Sequence, residues 1–168
     1  MVRSLFVVFV MLAGLVLLVP RGDMLRAVID PAPVAAAAVA ETGVPFTAPQ
    51  DLPDGWTATS ARFGELGDAE QVWQSVWTTP SGGSIALKEA VDAGDDWVRR
   101  ITTDAAVSGS VELAGQSWEQ RVDERGQLHL VRNTDTDQGV LTTVVSATGG
   151  LAELEVFVPA LRAVTVLD

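Results

Sequence analysis

Apolar positions along the chain fall into three patterns. From Leu5 to Val19 they run unbroken, LFVVFVMLAGLVLLV, and no charge lies between Arg3 and Arg21. From Trp56 onward most of them alternate with polar positions, the two-residue period of a strand. Around Trp97 and again from Leu151 they recur at three- and four-residue spacing, the period of a helix face.

The alternating part predicts seven strands. Trp56 to Phe63 follows the turn Pro53-Asp54-Gly55, and Gln71 to Thr78 sets Trp73 and Trp77 on one face with Val72 and Val76 on the other. Beyond Pro80-Ser81-Gly82-Gly83, Ser84 to Val91 places Ile85, Leu87 and Val91 together. With both faces of the second strand apolar, the sheet needs a cover on each side. Four further runs, Val107 to Leu113, Gln116 to Val122, Gln127 to Asn133 and Val140 to Ala147, are separated by Ala114-Gly115, Glu124-Arg125-Gly126 and Thr134 to Gly139. Even spacing with short turns is the pattern of antiparallel hairpins.

Two helices interrupt or close this series. Asp95 is the N-cap candidate of the first, with Asp96 in its positive first turn and Trp97 and Ile101 sharing a face away from Arg99 and Arg100. In the second, Leu151, Leu154, Phe157, Val158 and Leu161 repeat at helical spacing, and Pro159 should stop or kink it near Val158. The expected fold class is therefore α+β: a single antiparallel sheet of about six or seven strands with two helices, near Asp95–Thr103 and Leu151–Val158, packed on it.

The N-terminal run reads as a transmembrane helix over residues 1–20. It sits at the short end of the roughly 17–25 residues that span a bilayer. A cleaved signal peptide competes, but Pro20, Arg21, Gly22, Asp23 and Met24 follow where small residues should stand. The first Ala-rich stretch, Ala35 to Ala40, lies too far downstream. Arg3 and the terminal amine against Arg21 and Arg26 leave orientation nearly even. The short N-terminal tail and large polar body favour the N-terminus inside and the body outside. Residues 21–50 read as a stalk with a broken helix, interrupted at Asp30-Pro31-Ala32-Pro33, restarted over Ala35 to Ala40, and ended before Pro45 and Pro49. Residues 51–168 form the extracytoplasmic α+β domain.

Composition removes several function classes. The chain of 168 residues has 11 Lys+Arg, 22 Asp+Glu, one His and no Cys, a formal net charge of −11. Its acidic body lacks the clustered cations that phosphate binding needs, so nucleic acid is not an expected partner. Without cysteine there is no disulfide, thiolate metal site or thiol nucleophile. His129, between Leu128 and Leu130 with Gln127 and Val131 on its own strand face, reads as structural. Lys88 follows Ser84 by four residues and so misses the S-x-x-K spacing, and there is neither a G-x-S-x-G elbow nor a P-loop. Asn133, Asp135 and Asp137 alternate like calcium ligands, but Gln138 and Val144 stand where such a loop wants Gly and Glu. Asp92, Asp95 and Asp96 are explained by helix capping. No catalytic, cofactor or metal residue is assigned. Trp73 and Trp77 are the ligand-platform candidates, weighed against a plain core role in which Trp fills volume.

Several segments together resemble a known family. The opening MVRSLFVV and LVLLVPR, then VIDPAPVAAAA, LPDGWTATSAR, the AGQSW turn and the closing ELEVF resemble actinobacterial proteins of domain-of-unknown-function family 4245. The most specific pieces are Ile29 to Val34 and Leu52 to Trp56. The resemblance implies a single-pass, anchored, extracytoplasmic protein and brings no activity with it. A weaker similarity, to the PsbP-like sandwich, rests on the Pro-x-Gly-Trp entry into antiparallel strands. The expected function is a non-catalytic accessory or binding module of the cell envelope. Its expected partners are the membrane, through the N-terminal helix, and an envelope protein. A hydrolase using paired carboxylates and a structural partner of envelope machinery are the alternatives, the first marked by a pocket and the second by an exposed apolar patch.

Overall fold

A computed structural model describes residues 28–67 and 69–165. In chain order the elements are α1 (Ala32–Thr42), β1 (Thr47–Pro49), β2 (Thr57–Leu66), β3 (Ala69–Thr78), β4 (Ser84–Val91), α2 (Asp95–Ile101), β5 (Ala106–Leu113), β6 (Gln116–Val122), β7 (Leu128–Thr136), β8 (Gly139–Ala147), α3 (Leu151–Ala160) and β9 (Leu161–Ala163). Seven strands form one antiparallel sheet in the order β2-β3-β4-β8-β7-β6-β5, and β1 pairs with β9 in a separate two-stranded ribbon. The α+β class and the antiparallel sheet follow the sequence expectation. Two meanders meet at β4 and β8, and α2 carries the chain from the middle of the sheet to its far edge.

Strand alternation divides the core. On the first face Trp73, Trp77, Ile85, Leu87, Leu130, Val145 and Trp118 pack beneath Ala35 and Ala38 of α1 and Leu154 and Phe157 of α3. On the second face Val72, Ala90, Val131 and Val144 pack against Trp97 and Val98 of α2. The Trp97 indole donates to the Leu66 carbonyl at 3.0 Å, tying α2 to the end of β2.

Three helices are described, not two. The additional one, α1, lies in the segment read from sequence as a stalk. From Val28 onward that segment belongs to the body: Ala35, Ala38, Val44 and Phe46 are core residues. The expected restart over Ala35 to Ala40 falls inside this helix, which begins within the Asp-Pro-Ala-Pro run, three residues earlier than the sequence suggests. Pro31 is the N-cap and Pro33 lies in the first turn, where a missing N–H is no loss because those groups have no intrahelical partner. Asp30 accepts the Ala32 N–H at 3.0 Å. The helix ends at Gly43, left-handed at φ 71°, whose N–H returns to the Val39 carbonyl at 2.7 Å. Alanines at 35 and 38 let its backbone approach the core closely.

Smaller corrections concern ends. Gly94, not Asp95, is the N-cap of α2, and Asp95 and Asp96 both fall in its first turn. Helix α3 runs to Ala160, two residues past the expected stop, because Pro159 falls in the last turn, where only one backbone bond is forfeited. Strands β7 and β8 extend into the run Thr134 to Gly139, leaving Asp137 and Gln138 as the turn. Among the described residues no helix is long and apolar enough to cross a membrane. The expected transmembrane helix, residues 1–20, lies outside the described residues.

Candidate functional site

The register of the central strands builds one polar row across an otherwise apolar face. Trp73 of β3 pairs with Glu89 of β4, Glu89 with Thr143 of β8, and Thr143 with Arg132 of β7. Thr47 of β1 closes over this row. The Trp73 indole donates to the Thr47 carbonyl at 2.7 Å. The Thr47 N–H and hydroxyl donate to the two Glu89 oxygens at 2.6 and 2.8 Å, and the Thr143 hydroxyl donates to Glu89 at 2.9 Å.

Glu89 is completely buried. Burial is the main cause that pushes its carboxyl up to about 7, against the opposing pull of the Thr47 and Thr143 hydrogen bonds and of the Arg132 charge. An ionised carboxylate accepts all three bonds. In the neutral form one oxygen carries the proton and donates to a threonine hydroxyl instead.

Beside this row lies a cavity of about 190 Å³ whose lining includes Thr47, Leu113, Trp118, Arg132, Thr143 and Leu161. The Arg132 guanidinium sits over the Trp118 ring, 4.8 Å from its centroid, a cation–π contact. Both residues keep a buried donor without a partner among the described residues, Trp118 Nε1 and Arg132 Nε. Buried N–H groups are almost always paired in folded proteins, so two orphans on residues that line one cavity need a physical reason. Arg162, exposed at the mouth, donates to the carbonyls of Pro159 and Leu161.

The residues singled out from sequence lie elsewhere or serve the core. Trp73 is fully buried with its indole N–H satisfied. Trp77 is nearly so; it donates to Ser75 Oγ at 3.1 Å and meets the Phe157 ring edge-on at 6.1 Å. Trp77 also lines a groove of about 610 Å³ shared with Pro31, Pro33 and Pro49. The two indoles therefore present no open pair of ring faces. His129 is buried on the second face, its Nδ1 2.7 Å from Ser146 Oγ and its Nε2 without a partner among the described residues. Burial lowers its pKa first, helped by Lys88 and Arg121 and opposed by Asp123. The Lys88 ammonium is likewise held below its usual range by burial.

Asn133 and Asp135 stand in β7 opposite Thr142 and Val140, which separates them from any loop geometry. Asp92, left-handed at φ 50°, accepts the Val140 N–H at 2.9 Å. A Cβ at Gly139 would come within 2.7 Å of that carboxylate, which explains the glycine there. Among the described residues no group of three or more His, Asp and Glu side chains is placed to hold a metal ion.

Glu89 was missed in the sequence, and a signal for it existed. The series Ile85, Leu87, Glu89, Val91 is an apolar strand face with one member charged. A carboxylate at that position of a central strand must be either paired or neutral. Arg132, two residues past Leu130 in β7, breaks the same face in the same way.

Fold and cavity together define an α+β sheet domain with a buried acid and a cationic, partly unsaturated cavity under its terminal ribbon. Within that class, the chain belongs to the family described as Protein of unknown function (DUF4245), whose model matches residues 1–161. No curated protein and no solved structure matches the chain.

Proposed function

We propose that the protein is a non-catalytic binding module of the cell envelope, held at the outer face of the cytoplasmic membrane by residues 1–20. The observation that carries the binding half is the cavity lined by Trp118 and Arg132, whose Nε1 and Nε have no partner among the described residues. A site that keeps unpaired donors in the unliganded protein is arranged for an acceptor that arrives from outside. The anchoring half is supported by the uncharged run between Arg3 and Arg21.

Glu89 favours a second reading, the carboxylate-dependent hydrolase, because its raised pKa suits a general acid near neutrality. Against it, the hydrogen bonds of both carboxyl oxygens go to Thr47 and Thr143, whereas paired-acid chemistry needs a second carboxylate beside the first. The binding reading is the better supported.

Crosslinking the full-length protein in its native envelope tests the module, and one specific adduct is the expected result. Topology is tested at the exposed β6–β7 turn. Arg125→Cys in this cysteine-free chain should label with a membrane-impermeant thiol reagent in intact cells once wall access is verified. Labelling only after lysis would reverse the orientation.

A further inference from the structure

Resting on the binding-module reading, we infer that the cavity between β6, β7 and the β1–β9 ribbon is a site for a small carboxylate with a short apolar tail. Three features select that chemistry. The first is charge. The Arg132 guanidinium makes neither a hydrogen bond nor an ion pair among the described residues; it stacks on the Trp118 ring and acts on Glu89 only through its charge. A planar guanidinium presents parallel N–H groups that match the two oxygens of a carboxylate. The second is the additional donor. Trp118 lines the same cavity, is 2% exposed, and its indole N–H has no acceptor among the described residues. Stacking of the guanidinium on the indole fixes the relative placement of these two donors before any ligand arrives.

The third feature is the rest of the lining. Leu113, Val158 and Leu161 supply apolar wall, and Thr47 and Thr143 direct their hydroxyls to Glu89, which removes them as competing partners. A cavity of about 190 Å³ has the volume of about six waters in the liquid, enough for a carboxylate and a tail of a few carbons. Gln116 and Arg162 stand exposed and mark the opening. The chain as a whole carries a net charge of −11, so its long-range field repels anions. Selection must then arise at these contacts and not from attraction at a distance.

Butyrate is the probe. Isothermal titration of the purified full-length chain should show saturable binding of butyrate, at least tenfold tighter than its neutral isostere butyramide or than sulfate, because charge-assisted bonds are lost in one and shape in the other. Octanoate should bind more weakly than butyrate because the cavity limits the tail. Arg132→Gln should weaken butyrate at least tenfold. Trp118→Phe, which keeps an aromatic ring under Arg132 and removes only the N–H, should weaken it severalfold with an unchanged circular dichroism spectrum. Equal affinity for butyrate and butyramide would overturn the proposal, as would unaltered affinity in folded Trp118→Phe. Should Arg132→Gln fail to fold, the ligand series and Trp118→Phe still decide. Absence of any butyrate heat would defeat the carboxylate assignment alone, since the crosslinked envelope adduct reports separately on the binding-module reading.

Discussion

The two faces of the sheet are built on opposite economies of cover. On the first face, α1, α3 and the β1–β9 ribbon bury three of the five tryptophans, Trp73, Trp77 and Trp118, together with Glu89. On the second, the short helix α2 lays Trp97 and Val98 over Val72, Ala90, Val131 and Val144, and the neighbouring row is polar: Ser146, His129 and Arg121 stand side by side on β8, β7 and β6. The first face tolerates a buried carboxyl because three donors converge on it. On the second, burial holds down the pKa of Lys88 on the central strand β4 and of His129 on β7, and among the described residues His129 has Ser146 as its only hydrogen-bond partner. A deep cover can position polar chemistry, whereas a thin one mainly closes an apolar strip.

Substitutions that remove volume should separate the faces most clearly. Trp73→Ala is expected to cost about 3–5 kcal/mol, because its surroundings are pinned from above by Thr47 and cannot collapse. Trp97→Ala should fall at the lower end of that range, since α2 is seven residues long and can settle into the space. Denaturant unfolding gives the two values. Hydrogen exchange should show faster opening around α2 in the second variant while β3 and β4 stay protected, and equal loss of protection everywhere would erase the distinction.

Glu89 sharpens the comparison through pH. Between about 4.5, its unfolded value, and about 7, the folded protein holds a proton that the unfolded chain has released. Stability from this group therefore falls as pH rises through that window, by about 3 kcal/mol in all. Glu89→Gln should remove this slope, and the test is the difference between wild-type and variant unfolding free energies at pH 4.5, 6 and 8. A constant difference would mean that Glu89 keeps an ordinary carboxylate pKa.

His129 should show the opposite sign and a smaller amplitude. Its folded pKa lies below its usual value, so the stability it contributes is present above the unfolded pKa of about 6.5 and is lost as pH falls through the folded one. His129→Gln should cost about 1 kcal/mol near neutrality, the worth of the bond to Ser146. Its stability should then change less than that of wild type below pH 6, as measured by thermal melts across that range. Smallest of all is Arg99→Ala. The Arg99–Asp96 pair is exposed on both sides, and its removal should shift stability by no more than about 0.5 kcal/mol.

How far the sequence reaches depends on whether a feature is periodic. The seven strands of the sheet and the helices α2 and α3 were legible because each repeats an apolar position at its own period. The row Trp73–Glu89–Thr143–Arg132 was not, because it depends on register between four strands, and β4 and β8 are far apart in sequence. Its members announce themselves only as interruptions, Glu89 among Ile85, Leu87 and Val91, and Arg132 after Leu130. Helix α1 was half legible: its alanines marked a helix, but Ala is too small and too common to show which face meets a core. The pairing of β1 with β9 was invisible. Each strand is three residues long, too short for any period, and β1 ends on a proline.

That ribbon has a consequence for the order in which the molecule is made. Thr47 is synthesised early and Ala163 late, yet they are register partners. Contacts so distant in sequence are closed late in folding, after local hairpins have formed. The hairpins β2–β3 and β5–β6 need only their own few residues, so both meanders can be in place while Thr47 still waits for its partner strand. Until Leu161 to Ala163 have left the ribosome, Glu89 lacks a secured Thr47 lid and the cavity lacks the wall made by Leu161 and Arg162. The nascent protein can therefore hold its sheet before it has its site, and β9 completes the Thr47 lid and the cavity wall at once.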